Sequence, residues 1–209
     1  MPDKAKTPPP KTRKRSETPR LGRDDWLDCA YQAVTESGFD QVRVLTLADA
    51  LNVTRGSFYW HFEDHAALIA ALLERWRAGE LATNATLQDA PLADPRADLE
   101  RLLDAALAHS GTDLGNMRFE LALRDLGRRD GAVASMLVEV DQKRMELFES
   151  KFERLTGDPK SAGDLAALFY LAIVGSNQAL SRPANPPQLK QYLKGIISRY
   201  LIERQLPNS

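Results

Sequence analysis

The stretch Leu47-Ala48-Asp49-Ala50-Leu51-Asn52-Val53-Thr54-Arg55-Gly56-Ser57-Phe58-Tyr59-Trp60-His61-Phe62 decides the fold. Leu47, Ala48 and Leu51 recur at helical spacing and predict one short helix. Asn52 follows, the residue type other than glycine that best tolerates positive φ, then Val53 as an apolar plug and Thr54 as an N-cap. A further short helix is expected over Thr54 to Phe62. Rotation of about 100° per residue puts Phe58 and Phe62 on one face, where they can hold it against its neighbours. Gly56, Ser57, Tyr59 and Trp60 then point largely the other way. Two aromatic side chains on the outer side of so small a unit are poorly explained by internal packing. Two short helices joined by a tight turn, one presenting such a face, make a helix-turn-helix, the arrangement whose second helix enters the DNA major groove.

Upstream, Trp26, Ala30, Ala33 and Val34 form the stripe of a first helix that stops at Gly38, a residue suited to a left-handed turn, with Phe39 placed to pack back. Downstream, Asp64 is the expected N-cap of a fourth helix running through Leu68, Leu72 and Trp76 to about Thr83. Asp89-Ala90-Pro91 and Asp94-Pro95 mark a boundary, and helices are expected near 95–109, 114–128, 131–155, 159–181 and 187–205. No stretch alternates with period two for long, so the fold class is all-α. Residues 24–83 are expected to form a helix-turn-helix unit with its linking helix, and 84–209 a larger helical bundle.

A chain of 209 residues with 43% hydrophobic and 27% charged residues can bury a real core, roughly 70% of its unfolded surface. The lack of an apolar run near 18 residues argues against a membrane span. A single cysteine, Cys29, allows no internal disulfide and no cysteine metal cage, so a reducing, cytoplasmic setting is expected. Charge is uneven along the chain. Residues 1–23 hold eight bases against Asp3 and Glu17, whereas residues 24–80 hold Arg43, Arg55, Arg75 and Arg77 against ten acids. The first 23 residues also carry Pro2, Pro8, Pro9, Pro10 and Pro19 and almost nothing apolar before Leu21, which reads as a disordered arm, either a solubilising tail or a phosphate-seeking one.

From Trp26 to Trp76, and above all over 47–62, the sequence resembles the N-terminal DNA-binding domain of TetR-type transcriptional regulators, and the remainder resembles their helical C-terminal domain. The resemblance implies a homodimer that places two recognition helices on a palindromic operator, and release when a small ligand enters the C-terminal domain. Carried over by position, the DNA-facing residues are Leu45 and Thr46, then Arg55, Gly56, Ser57, Tyr59, Trp60 and His61. Arg55, Ser57 and His61 can donate to phosphate oxygens, Gly56 permits close approach, and Tyr59 and Trp60 can offer ring faces to thymine methyls. Arg43 adds a phosphate contact just before the second helix. Two departures stand out: Asn52 where the family usually has Gly, and His65 where it commonly has Lys. Imidazole is mostly neutral near pH 7, which weakens a phosphate clamp at His65 and makes the basic arm the main source of electrostatic attraction.

Rival readings follow from the same residues. His61 and His65 stand four apart, a spacing that could seat a catalytic zinc, although the order matches no known zincin pattern and a third ligand would have to come from His109 or a distant carboxylate. A helical adaptor using the exposed aromatics to bind protein is the other alternative. No phosphate loop or nucleophile elbow is present, and neither enzymatic activity nor a cofactor is expected. For an apolar effector, the candidate lining is His109, Met117, Phe119, Met136, Phe148, Phe152, Phe169, Tyr170 and Asn177, each of which competes with a role as ordinary core. The last two helices, with Leu165, Leu168, Phe169 and Ile173, then Leu189, Ile196 and Ile197, spread apolar surface over more than one face, which predicts a four-helix dimer interface.

Overall fold

The computed structural model describes residues 21–111 and 114–179 together with Gly195. Among these lie eight α-helices and no strand: α1 (Arg23–Ser37), a 3-10 turn (Phe39–Gln41), α2 (Val44–Ala50), α3 (Arg55–Phe58), α4 (His65–Asp89), α5 (Pro95–Gly111), α6 (Leu114–Gly127), α7 (Gly131–Thr156) and α8 (Pro159–Ala179). The all-α class read from the sequence is what the chain adopts. The N-terminal arm up to residue 20 and the last expected helix, 187–205, lie outside the described residues.

Helix α1 opens on Gly22, whose N–H donates to the Asp25 carboxylate at 2.6 Å, and Asp24 and Asp25 suit the positive end of its dipole. Arg23, counted with the arm in the sequence, is thus the first residue of α1, and its guanidinium lies 4.7 Å from the centre of the Phe62 ring. The helix ends at Gly38, which takes φ 81° and ψ 171°. That is a glycine-favoured conformation with positive φ, though not the left-handed helical one, and it lets Phe39 fold back into the core.

Helix α4 starts where expected: the Asp64 carboxylate accepts the Ala67 N–H at 2.7 Å, and Leu68, Leu72 and Trp76 are buried along it. It runs past Thr83 to Asp89. Nothing in residues 84–89 breaks a helix, and the stop comes from Pro91, which disfavours the helical conformation at Ala90. At about 1.5 Å per residue α4 is a rod of roughly 37 Å.

Two cores result. The first combines Trp26, Leu27, Leu47, Phe58, Phe62, Leu68 and Leu72 with Phe119 and Leu123 of α6 and Val133, Leu137 and Val140 of α7. The second packs α5, the C-terminal half of α7 and α8 around Leu99, Leu103, Phe148, Phe152 and Phe169. The link between α4 and α5 is pinned by ion pairs. Almost fully buried, Asp98 accepts the Leu92 N–H at 3.0 Å and pairs with Lys151 at 3.0 Å, with Arg101 at 2.9 Å and with Arg154. Lys151 also donates to the Leu87 carbonyl at 2.7 Å, fixing the far end of α4 to α7. None of the described helices is long and apolar enough to cross a membrane.

Candidate nucleic-acid interface

The turn between α2 and α3 rests on Asn52, whose φ of 54° is the positive value that its side chain tolerates. Its N–H donates to Asp49 at 3.0 Å, and that of Val53 donates to Ala48 at 2.9 Å, closing the turn over the half-buried Val53 side chain. Thr54 occupies the N-cap position of α3 but its hydroxyl caps nothing. Instead the Ser57 hydroxyl donates to the Thr54 carbonyl at 2.9 Å.

Helix α3 is shorter than the Thr54–Phe62 segment expected from the sequence. Its α-helical part covers Arg55–Phe58, and the chain then tightens, with the Trp60 and His61 N–H groups donating three residues back to Ser57 and Phe58. Such three-residue bonds are common where a helix ends. The division of side chains survives this change. Phe58 is fully buried, set edge-on to Trp26 with ring centres 5.3 Å apart, and Phe62 stacks on it at 5.5 Å. Trp60 is 87% exposed, Leu45 59% and Tyr59 52%.

Around these, Arg43, Thr46, Arg55 and Gly56 are exposed, whereas Ser57 and His61 are half-buried. A Cβ added at Gly56 would meet only the Thr54 hydroxyl, at 3.8 Å, so the backbone there is open to close approach. The Arg55 guanidinium donates to the Tyr59 hydroxyl at 3.2 Å and sits 6.0 Å from that ring's centre. His65 is also exposed, but its Nε2 lies 2.6 Å from the Val42 carbonyl, to which it donates. That bond ties the start of α4 to the segment before α2. The His65 Nε2 is thus engaged, and among the described residues no group of three or more His, Cys, Asp or Glu could hold a metal ion.

A second feature lies between α4, α5, α6, α7 and α8. This cavity encloses about 70 Å³ and is lined by Glu80, Asn84, Leu102, Glu120, Arg144, Phe148, Tyr170 and Ile173, among others. Its charged wall is a closed network. Glu120 accepts from Arg124 at 2.7 Å and from Arg144 at 3.0 Å, Arg144 also reaches Glu80 at 2.7 Å, and Arg124 reaches Asp141 at 2.9 Å. Burial alone would raise the Glu120 carboxyl. Arg144 and then Arg124 overcome that by charge and hydrogen bonding and bring it to about 2. Burial, reinforced by Asp141, pushes the Tyr170 hydroxyl up to about 12.

Of the nine effector-contact candidates, Phe148 and Tyr170 line this cavity. Phe152 and Phe169 are fully buried in the second core, Met117 is buried, Met136 packs against the first core, and Phe119 lies inside it. The side chains of His109 and Asn177 lie outside the described residues. The polar lining, Glu80, Asn84, Glu120 and Arg144 among it, escaped an apolar search, and its local traces are the Glu120/Arg124 pair at four-residue spacing and the Asp141/Arg144 pair at three.

Residues 27–72, spanning most of α1 through the first third of α4, match the bacterial regulatory proteins of the tetR family. The chain carries a TetR-family N-terminal domain. Solved structures extend the likeness of fold to the whole chain. A TetR transcription regulator from Haloarcula marismortui superposes with a TM-score of 0.72 at 15% identity, covering 88% of this chain and 98% of its own. A transcriptional regulator from Rhodococcus sp. Rha1 gives 0.69 at 18% identity, over 90% and 100%. One from Saccharomonospora viridis, solved in complex with choline, gives 0.69 at 18%, over 85% and 96%. No curated protein matches the chain. A DNA-binding regulator is the class of protein that the TetR-family domain and fold support.

Proposed function

We propose that this chain is a cytoplasmic transcriptional repressor that binds a palindromic operator as a homodimer and is released by a small-molecule effector. The observation that carries the DNA-binding reading is the split within five residues of α3 and its turn. Phe58 and Phe62 anchor the unit, while Tyr59 and Trp60 stand outward on a TetR-family helix-turn-helix. The DNA-facing set is Arg43, Leu45, Thr46, Arg55, Gly56, Ser57, Tyr59, Trp60 and His61, with His65 positioning the start of α4 through Val42.

Support for a dimer comes from α8. Leu165, Phe169 and Ile173 face the chain's own core, while Leu168 and Leu171 on the opposite side are exposed, which is more apolar surface than one docked helix needs. Support for an effector comes from the cavity. An apolar body would lie against Leu102, Phe148 and Ile173, and the Asn84 side-chain amide, buried without a hydrogen-bond partner on its nitrogen, invites an acceptor. The effector is therefore less purely apolar than the sequence suggested. At about 70 Å³ the cavity is far below the roughly 300–1,000 Å³ of drug-sized sites, so a ligand must part the helices to enter. A ligand that binds the parted state better shifts the population away from the DNA-competent one.

Selection of bound sequences from a random duplex pool tests this reading. A palindromic consensus is expected. Enrichment of no sequence, or of a single asymmetric site, would overturn it.

A further inference from the structure

The outward surface of α2 and the α3 turn is poor in free polar readers. The Ser57 hydroxyl is engaged with the Thr54 carbonyl, Gly56 has no side chain, and the His65 Nε2 is engaged with Val42. Arg55 is the one guanidinium on α3, and bidentate reading of guanine O6 and N7 needs two parallel N–H groups directed at the base. One of its five N–H groups donates to Tyr59 and the guanidinium leans over that ring, which holds it along the protein's own surface. Beside the Arg43 guanidinium and the Thr46 hydroxyl, the exposed surface here is mostly hydrocarbon: the Trp60 and Tyr59 rings, Leu45 and the Thr46 methyl.

In the major groove the four base pairs present donors and acceptors with one apolar exception, the C5-methyl of thymine. Setting an indole or an isobutyl group against a donor or acceptor edge strips that edge of water and gives nothing back. Setting it against a methyl buries apolar surface on both sides.

Resting on the DNA-binding reading above, we infer that the operator half-site is read chiefly through thymine methyls, one set facing Leu45 and Thr46 and another facing Tyr59 and Trp60, and not through an arginine-read guanine. The DNA partner is thus a duplex whose contacted half-site positions are A·T pairs.

The test starts from the duplex selected by the full chain. Each thymine of the half-site is replaced in turn by deoxyuridine, which removes the methyl and keeps every hydrogen-bonding group. At least two positions per half-site should each lose about fourfold in affinity, the effect of unburying roughly one methyl. Trp60→Ala should lose sensitivity at one of those positions and keep it at the others. Because the change is made in the DNA, the result does not depend on how well a variant folds. A selected duplex that binds equally well with uridine at every position overturns the inference while leaving the DNA-binding reading intact. So does a half-site whose dominant contact is a guanine that Arg55→Lys no longer prefers. If no duplex is enriched, both fall together.

Discussion

Phe119 and Glu120, consecutive in α6, serve different faces of that helix: the Phe119 ring stacks on Tyr31 of α1 with centres 4.8 Å apart, and the Glu120 carboxylate accepts from Arg144 in the cavity wall. Phe119 also meets the edge of Phe39 at 5.5 Å. A shift of α6 that rearranges the ion pairs around Glu120 must carry Phe119 with it, and Phe119 bears directly on the helix-turn-helix unit. The packed contacts that join the cavity wall to the N-terminal unit therefore run through α6 as well as along α4.

Phe119→Ala should cost about 3–5 kcal/mol of stability, because a fully buried ring is removed from the first core. Phe119→Leu should fold and still bind an effector identified by thermal-shift screening. The loss of operator affinity that the effector causes, a coupling of about 1–3 kcal/mol in such systems, should shrink. Operator titrations with and without effector measure this, and unchanged coupling in the leucine variant would place the route elsewhere.

The Glu120 carboxyl lies at about 2 in the folded chain against 4.5 in its ordinary state. A folded-state value below the unfolded one means that the stabilisation is complete above about pH 4.5 and is lost as pH falls towards about 2. Denaturation midpoints of the wild type should fall through that window more steeply than those of Glu120→Gln. At neutral pH the variant should be less stable by on the order of 1–3 kcal/mol, since two half-buried guanidiniums lose a shared partner while keeping Asp141 and Glu80. Parallel pH profiles would contradict this role.

Deleting residues 1–20 leaves Arg23 in place on Phe62 and removes seven bases. Duplex affinity should weaken for all sequences alike, and the salt dependence should flatten by about 0.9 in logarithmic slope for each phosphate that the arm no longer neutralises. An unchanged slope would show that the arm touches no phosphate.

Much of the fold is open to reading from the sequence because the signals are local. Gly38, Asn52 and Asp64 each mark a helix boundary by their own backbone or side-chain chemistry, and the Phe58/Phe62 spacing fixes which way Tyr59 and Trp60 point. The length of α3 is not legible in the same way, because a 3-10 turn and an α-helix share nearly the same apolar spacing over one turn. The cavity is harder still, since its wall joins Glu80, Glu120 and Arg144 from three helices by hydrogen bonds that span up to 64 residues, which no periodicity records. Phe119, a pocket candidate from the sequence, sits in the first core, because a buried ring has the same sequence signature in a core as beside a pocket.

Leu171 on α8 is 68% exposed, and its neighbour Leu168 is 53% exposed. Leu171→Asp should leave the subunit folded and split the dimer, because the interface would bury a carboxylate without a partner. Sedimentation at micromolar concentration reads this directly, and a persistent dimer would move the interface off this face.

On the proposed function, duplex DNA is held by the outward face of the α3 turn. This contact is tested most directly by titrating the selected operator with wild type, Tyr59→Ala and Trp60→Ala, with circular dichroism and melting recorded for each. Both variants should keep the wild-type fold, since neither side chain lies in the core, and each should lose on the order of 1–3 kcal/mol of specific binding. Operator affinity equal to that of the wild type in both folded variants would place the DNA contact on another face.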